Sequence, residues 1–300
     1  MNGLLLVDKP SGPTSHDVVD HIRRVTGLQR VGHTGTLDPN AGGLMVLCLG
    51  KATRIAEFIA GLDKTYEGTM RLGLVTDSYD IQGNVLEEND VPTSITLEQL
   101  REMCHAFVGT IEQTPPMVSA VRVGGRRLYK LARKGITVER PPRTVQIYEF
   151  SVLGYTPPDV YIRVRCSSGT YVRSLCHDIG RQLGCGAILA ALRRTYVGNY
   201  SVEKAKPLEY FQNPEEVQNE LLPLRDALNL PSATVSPRGI ATLKNGGVLL
   251  PMDLAAPCAV RSGIVQIKNS DGELLALGEV KRTAAGVTIQ PRRVFITQND

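Results

Sequence analysis

The sequence predicts an α+β fold: a mixed, mostly antiparallel sheet with helices over residues 1–228, then a small, mostly β domain over 229–300. Three observations predict it. Helical and strand patterns mix over the first part without the strict strand–helix alternation that a parallel sheet needs. The stretch "DVYIRVRC" alternates cleanly, with Val160, Ile162, Val164 and Cys166 on one side and Tyr161, Arg163 and Arg165 on the other, the period of a half-buried strand. After about residue 229 the texture changes to short strands with turn signals such as "NSDGE", and "NLPSATVSP" marks the boundary.

The elements follow in order. Leu4–Val7 reads as a first strand ended by Pro10 and Gly12. In "TSHDVVDHIRRVTG", Thr14 or Ser15 caps a helix whose Val18, Ile22 and Val25 share a face, and Gly27 ends it. The continuous apolar run "LMVLCLG", 44–50, is a buried strand, "ATRIAEFIAGL" a second helix and "KTYEGTMRLG" a strand. Thr96 and Gln99 form a capping-box pattern before "LEQLREMCHAF". A further helix spans "VRSLCHDIGRQLG", with Leu175, Ile179 and Leu183 in register, and "SATVSPRGIATLKNGG" holds one with a glycine stop.

Composition excludes some classes. The 300 residues are 42% apolar with no run of 18 apolar residues, so nothing is long enough to span a bilayer. The N-terminus lacks the basic segment of a signal peptide. The six cysteines form no C-x-x-C pair and no zinc spacing with histidine; they read as buried thiols in a reducing cytoplasm. Cys176 and His177 are adjacent but point different ways on a helix, so no metal site is expected there. The net charge of +4 permits a nucleic-acid partner without requiring one.

The chemistry concentrates in "GHTGTLDPNAGG", 32–43. It resembles a phosphate loop, yet the lysine and hydroxyl of G-x-x-x-x-G-K-[ST] are missing. No second acid stands beside Asp38 to hold the magnesium of a phospho-aspartate enzyme. What remains is one carboxylate restricted by Pro39 and flanked by glycines that let a ligand approach. Such a group suits nucleophilic or general-base work. A turn aspartate bonding its own backbone is the plain alternative.

The stretches "DKPSGPTSHDVV", "GHTGTLDPNAGGLMVLCLGKATR", "KTYEGTMRLG", "SSGTYVRSLCHDIG" and "LRRTYVGNYSVEKA" occur in that order. Together they resemble the bacterial tRNA pseudouridine(55) synthases of the TruB family, over nearly all of 1–228. The C-terminal part is similar, more weakly, to a PUA RNA-binding domain. The resemblance implies an isomerase that detaches the base of uridine 55 in the tRNA T loop, turns it and rejoins it through carbon. It needs no cofactor, no metal and no obligatory protein partner, and it acts as a cytoplasmic monomer. Asp38 falls on the catalytic aspartate, which attacks the ribose or the uracil ring. Arg173 falls on the cation that keeps that carboxylate ionised, pictured as a planar bidentate fork. Tyr66 matches a tyrosine that stacks on the flipped base with its hydroxyl near the carbon that loses a proton. Tyr171 and Leu192 match pocket-lining positions, and His33 a histidine that packs into the opened loop; each could instead be core or plain surface. Lys9 and Pro10 match a motif that supports the active-site loop. Asp77 and Asp80 are candidate acids at the pocket rim.

The run "RVGGRRLYKLARKG", within a basic insertion at about 110–140, carries Arg122, Arg126, Arg127, Lys130, Arg133 and Lys134 with no acid until Glu139. Glycines and one-sign charge suit a segment that closes on RNA phosphates; a solvated face is the alternative. A rival of another class is a tRNA-binding or folding-assistance module in which catalysis is secondary. Asp38 with Arg173 separates the two, because a pure binder gains nothing from a carboxylate that repels phosphate. A guide-RNA-dependent enzyme is a third, weaker possibility.

Overall fold

The computed structural model describes residues 1–119, 122–123, 125–128, 136, 138–283 and 286–296. The strands are β1 (Gly3–Lys9), β2 (Val31–His33), β3 (Ala41–Leu49), β4 (Lys64–Leu72), β5 (Leu74–Thr76), β6 (Val85–Glu88), β7 (Gly109–Gln113), β8 (Arg122–Val123), β9 (Arg126–Arg127), β10 (Arg143–Thr156), β11 (Asp159–Cys166) and β12 (Ala187–Val197). The short β13 (Tyr200–Ser201), β14 (Lys206–Pro207) and β15 (Leu222–Pro223) follow, then β16 (Ser232–Thr234), β17 (Gly263–Lys268), β18 (Leu274–Thr283) and β19 (Gly286–Val294). The large sheet runs β14-β1-β3-β12-β4-β11-β10-β7. Only β1–β14 and β3–β12 are parallel neighbours, so the expected mostly antiparallel sheet is observed.

Local signals explain most helices. Thr14 accepts from the Asp17 amide while Asp17 bonds back to the Thr14 amide, and Gly27 closes the helix Ser15–Thr26 in a left-handed conformation. Val18, Val19 and Ile22 of that helix pack on Leu5, Val7, Met45 and Leu47. The helices Leu97–His105 and Val172–Leu183 bury Leu100, Cys104, Leu175 and Ile179 against Val160, Ile162 and Val164 of β11. Each such fully buried Leu, Ile or Val contributes about 1.5–3 kcal/mol. The second expected helix is the exception. Gly50–Ile55 is a tighter 3₁₀ segment, and α-helix covers only Ala56–Ala60. Its start is pulled aside by the Gly50 amide bonding the Arg30 carbonyl at 2.8 Å, with Gly50 at φ +60°.

The other face of the central strands is solvated and laced by charge: Arg193 pairs with Asp8 at 2.7 Å, Arg163 with Glu67 at 2.7 Å and Arg71 with Asp159 at 2.8 Å. The alternation read in "DVYIRVRC" is therefore observed, with Tyr161, Arg163 and Arg165 outside. The C-terminal sheet, β16-β17-β18-β19, has its own cluster of Val235, Leu243, Leu249, Val265, Ile267 and Ile289. Leu277 and Phe295 join a cluster with Leu4, Val46, Ile55 and Ile59. Gln266 also bonds the Leu228 carbonyl at 2.7 Å.

One contact ties fold to site. Gly43 pairs in parallel with Arg194, at φ +97°, and a Cβ there would collide with the Arg194 backbone. Gly43→Ala should lower stability by about 2 kcal/mol or more, from left-handed strain plus separation of β3 from β12. Thermal melting checks this; an unchanged melting temperature would show that β3 and β12 separate freely here.

Candidate active site

The loop between β2 and β3 is held from below. Lys9, fully buried at the end of β1, donates its Nζ to the carbonyls of Pro10 (2.9 Å), Pro39 (3.1 Å) and Ala41 (2.6 Å). Ser15 exchanges two hydrogen bonds of 2.8 Å with the Leu37 backbone, and the Gly12 amide bonds the Pro39 carbonyl. Asp38, between these anchored residues, therefore has little freedom. Lys9 supports the loop, as expected. Burial pulls its ammonium down to about 8 despite the nearby Asp38 charge.

Asp38 opens into a cavity of about 310 Å³ lined also by Thr34, Lys64, Tyr66, Tyr171, Arg173, Leu192 and Arg194. Of the residues singled out in the sequence, the fold thus brings together Asp38, Tyr66, Tyr171, Arg173 and Leu192. Tyr66 and Leu192 pack against both the cluster around β11 and the cluster around β1 and β3. The cavity lies at the junction of the two cores.

Arg173 enters from the first turn of the helix Val172–Leu183 and is 3% exposed. Its guanidinium is not a fork on one carboxylate. Nη2 lies 3.1 Å from Asp38 Oδ2 and donates to the Val118 carbonyl at 2.8 Å. Nη1 donates to Asp80 Oδ2 at 3.0 Å and to the Ser78 carbonyl at 3.1 Å. The expected bidentate pairing is replaced by a shared one, because a second carboxylate, Asp80, approaches the other edge. Asp80 is no rim acid: it is 4% exposed, and its Oδ1 accepts from Ser78 Oγ at 2.6 Å and the Gln82 amide at 3.1 Å. Its turn is pinned by Tyr79, at φ +64°, stacked 3.9 Å from the His177 ring. Asp77 is exposed and ties the same turn through Asn84. With His177 on Tyr79 and Cys176 fully buried, that adjacent pair points apart, as expected.

The Asp38 side chain is 39% exposed toward the cavity, yet the protein around it withdraws enough water to dominate its acidity. Burial pushes its carboxyl above the ordinary 3.8, Arg173 offsets part of the rise, Asp80 adds to it and Lys9 subtracts. Arg173 limits the rise rather than reversing it. Asp38 Oδ1 accepts no hydrogen bond among the described residues, leaving an oxygen open to the cavity.

Sequence reasoning missed Lys64, Gln113 and Arg194. Gln113, buried at the end of β7, clamps Tyr171 by bonding both its amide (2.7 Å) and its carbonyl (3.0 Å). Lys64 donates to the carbonyls of Ala60 and Leu62 and is pulled down to about 8 by burial first, then by Arg194. Lys64 and Arg194 lie inside the quoted "KTY" and "LRRTYVG", so their signal was position beside named residues. His33 is not in the cavity lining. It sits on β2 opposite Leu47, with Nδ1 buried and without a partner, and burial pulls its pKa down. Arg122 pairs with Arg127 and Val123 with Arg126 in a two-stranded β8–β9 ladder. Lys130, Arg133 and Lys134 lie outside the described residues.

Residues 23–172 match the TruB family pseudouridylate synthase N-terminal domain, and residues 173–229 the tRNA pseudouridylate synthase B C-terminal domain. The chain belongs to the TruB family. A relative from Syntrophotalea carbinolica, named tRNA pseudouridine synthase B, is 46% identical over 249 residues, covering 82% of this chain and 81% of its own. One of the same name from Thermotoga maritima is 42% identical over 287 residues, covering 95% and 92%. Among solved structures, a chain from an H/ACA RNP bound to a substrate RNA containing 2'-deoxyuridine superposes with a TM-score of 0.74 at 27% identity, covering 99% of this chain and 86% of that one. A chain of the archaeal box H/ACA sRNP Nop10-Cbf5 complex gives 0.73 at 27%. The large antiparallel sheet is thus the fold of this family.

Two outcomes follow for a member built this way. If Asp38 works as the carboxylate, its raised pKa means that activity should be lost as pH falls through a midpoint above 3.8. Single-turnover rates against pH check this; an acid limb at or below the ordinary value would mean Arg173 fully offsets burial. Removing one partner of a buried ion pair costs about 3–5 kcal/mol, so Asp80→Ala should lower the melting temperature strongly. Asp80→Asn should fold but lose activity, because the uncharged amide leaves the Arg173 charge to Asp38 alone and tightens that pair. An Asn variant with normal turnover would make Asp80 a structural group only.

Proposed function

We propose that this protein isomerises uridine 55 in the T loop of tRNA to pseudouridine, with Asp38 as the nucleophile and without a cofactor. The observation that carries the reading is the one carboxylate among the described cavity-lining residues, 3.1 Å from a buried guanidinium and facing Tyr66 and Leu192. The relatives' names supply the substrate class.

The reaction is an internal exchange. The bond from ribose carbon 1′ to uracil N1 breaks, and one from carbon 1′ to uracil carbon 5 forms. One proton leaves carbon 5 and one arrives at N1. No electrons are gained or lost, so the chemistry asks for a nucleophile, a way to hold the detached base and a proton acceptor. Asp38 attacks through its open oxygen, on the anomeric carbon or the ring. Tyr66 and Leu192 sandwich the flipped base, whose stacking is worth about 1–3 kcal/mol. Tyr171, clamped by Gln113, forms another wall. The Tyr66 oxygen, its own proton first released to water, takes the carbon-5 proton.

Phosphate contacts come from the basic segment that includes Arg122, Arg126, Arg127 and Lys130. His33 packs into the opened loop. Residues 229–300 act as a PUA-like RNA-binding domain beside the catalytic domain of 1–228. Among the described residues no helix is long and apolar enough to cross a membrane; the protein works in the cytoplasm, as a monomer and without an obligatory protein partner. The 92% coverage of the Thermotoga maritima relative at 42% identity supports this over a guide-dependent enzyme.

The test uses unmodified tRNA with tritium at uracil carbon 5. Asp38→Asn should release no tritium while binding tRNA within a few-fold of the native protein, since loss of a negative charge does not weaken phosphate contacts. Release by the native protein should persist in EDTA on prefolded tRNA. Near-native release by Asp38→Asn would remove the aspartate from the mechanism and leave a binding module as the better reading.

A further inference from the structure

Arg194 is the largest fully buried side chain of the protein's described residues, at 2% exposure. It stands on β12 directly opposite Tyr66 of β4, and opposite Gly43 of β3 on its other side. Its Nε donates to the Leu44 carbonyl at 2.7 Å and its Nη2 to the Gly35 carbonyl at 3.1 Å. A guanidinium has five donors, and these two bonds leave others for the cavity it lines beside Tyr66 and Asp38. No carboxylate lies within ion-pair distance of Arg194 among the described residues. A buried cation without an acid is expensive unless something else uses its charge. Its neighbours show the field: burial pulls down the pKa values of Lys9, Lys64 and His33, and the Arg194 charge adds to the fall. Burial pushes the Tyr66 phenol up, and the charge of Arg194, its cross-strand neighbour, is the largest influence that opposes this.

We infer that Arg194 is the positioning residue for Tyr66: anchored to the Asp38 loop through two carbonyls, it orients the phenol oxygen and favours its anionic form for removal of the carbon-5 proton. This rests on the reading of Tyr66 as the proton acceptor. In that step the phenol has first lost its proton to water. The carbon-5 hydrogen passes to the phenolate oxygen, the C–H electron pair restores the double bond between carbons 5 and 6, and N1 takes a proton from water. The phenol so formed is the resting state. One guanidinium then sets two distances together, because the bonds that orient it toward Tyr66 also hold the backbone at Gly35 and Leu44, on either side of Asp38. Arg173 serves the carboxylate and Arg194 the phenol.

The experiment compares Arg194→Lys, Arg194→Gln, Tyr66→Phe and each double variant with native protein, by single-turnover rate, melting temperature and tRNA affinity. Either Arg194 variant that melts near the native temperature and binds tRNA within a few-fold serves. It should be slower by about 10²-fold or more, the lower end of what a positioned proton acceptor contributes. Its rate should recover toward alkaline pH, and deuterium at uracil carbon 5 should slow it more than it slows native protein. Combined with Tyr66→Phe it should lose little further, since Arg194 acts through the hydroxyl. A folded variant with native rate would overturn the inference. So would a slow one with the native pH profile and isotope effect, or losses that add to those of Tyr66→Phe, because each marks loop support alone. A Tyr66→Phe protein with native single-turnover rate would instead sink the reading of Tyr66 itself. If both Arg194 variants unfold while Tyr66→Phe remains stable, the role is structural and the inference fails.

Discussion

A single buried guanidinium shared between two carboxylates sets the geometry of this site. Arg173 neutralises Asp80, which has no water to help it, and at the same time leans on Asp38, which does. Were Asp80 absent, the whole charge of the planar group would fall to Asp38. With Asp80 in place, Asp38 has one oxygen against Nη2 and one open. The carbonyls of Ser78 and Val118 take further donors and stop the guanidinium from turning. The Asp38 carboxylate is thus held near a cation without being consumed by it.

The same arrangement explains the charge balance. Lys9, Lys64, Arg173 and Arg194 all lie buried near the cavity, against the acids Asp38 and Asp80. Lys9 and Lys64 bond only carbonyls in the contacts found, and both are pulled down to about 8. An excess of buried positive charge is a poor way to stabilise a fold. It is a reasonable way to receive a polyanion, whose phosphates bring the missing negative charge. The back of the sheet shows the contrast: there Arg193 is matched by Asp8 and Arg163 by Glu67.

The cavity exists because two cores meet without merging. One is built by the helices Leu97–His105 and Val172–Leu183 on β4, β10 and β11, the other by the helix Ser15–Thr26 on β1 and β3. The parallel pairing of β12 with β3 brings them side by side, at Gly43, where no side chain fits. Tyr66 and Leu192 fill the seam. The Asp38 loop and the Arg173 helix therefore come from opposite sides of the seam, and neither core alone lines the whole cavity.

The sequence by itself determined the type of the elements that it marked by pattern, the second helix apart, the antiparallel character of the sheet, and the loop that carries Asp38. These rest on short-range physics: period-two alternation in "DVYIRVRC", the Thr14–Asp17 cap, the Gly27 stop, and proline and glycine around one acid. The quoted stretches also pointed to Tyr66, Tyr171, Arg173 and Leu192, all of which line the cavity. Tertiary structure alone decided which group shares which charge. Asp80 lies 93 residues from Arg173, and its burial depends on a turn held by Tyr79 against His177. Arg194 reads as one arginine of two in "LRR"; only strand register sends Arg193 to the solvated face and Arg194 inward to Tyr66. The second helix shortened because Gly50 bonds Arg30, a contact that no local propensity encodes. Local pattern sets conformation through neighbours in the chain, whereas the pairing of buried charges is set by strand order and register, which long-range packing fixes.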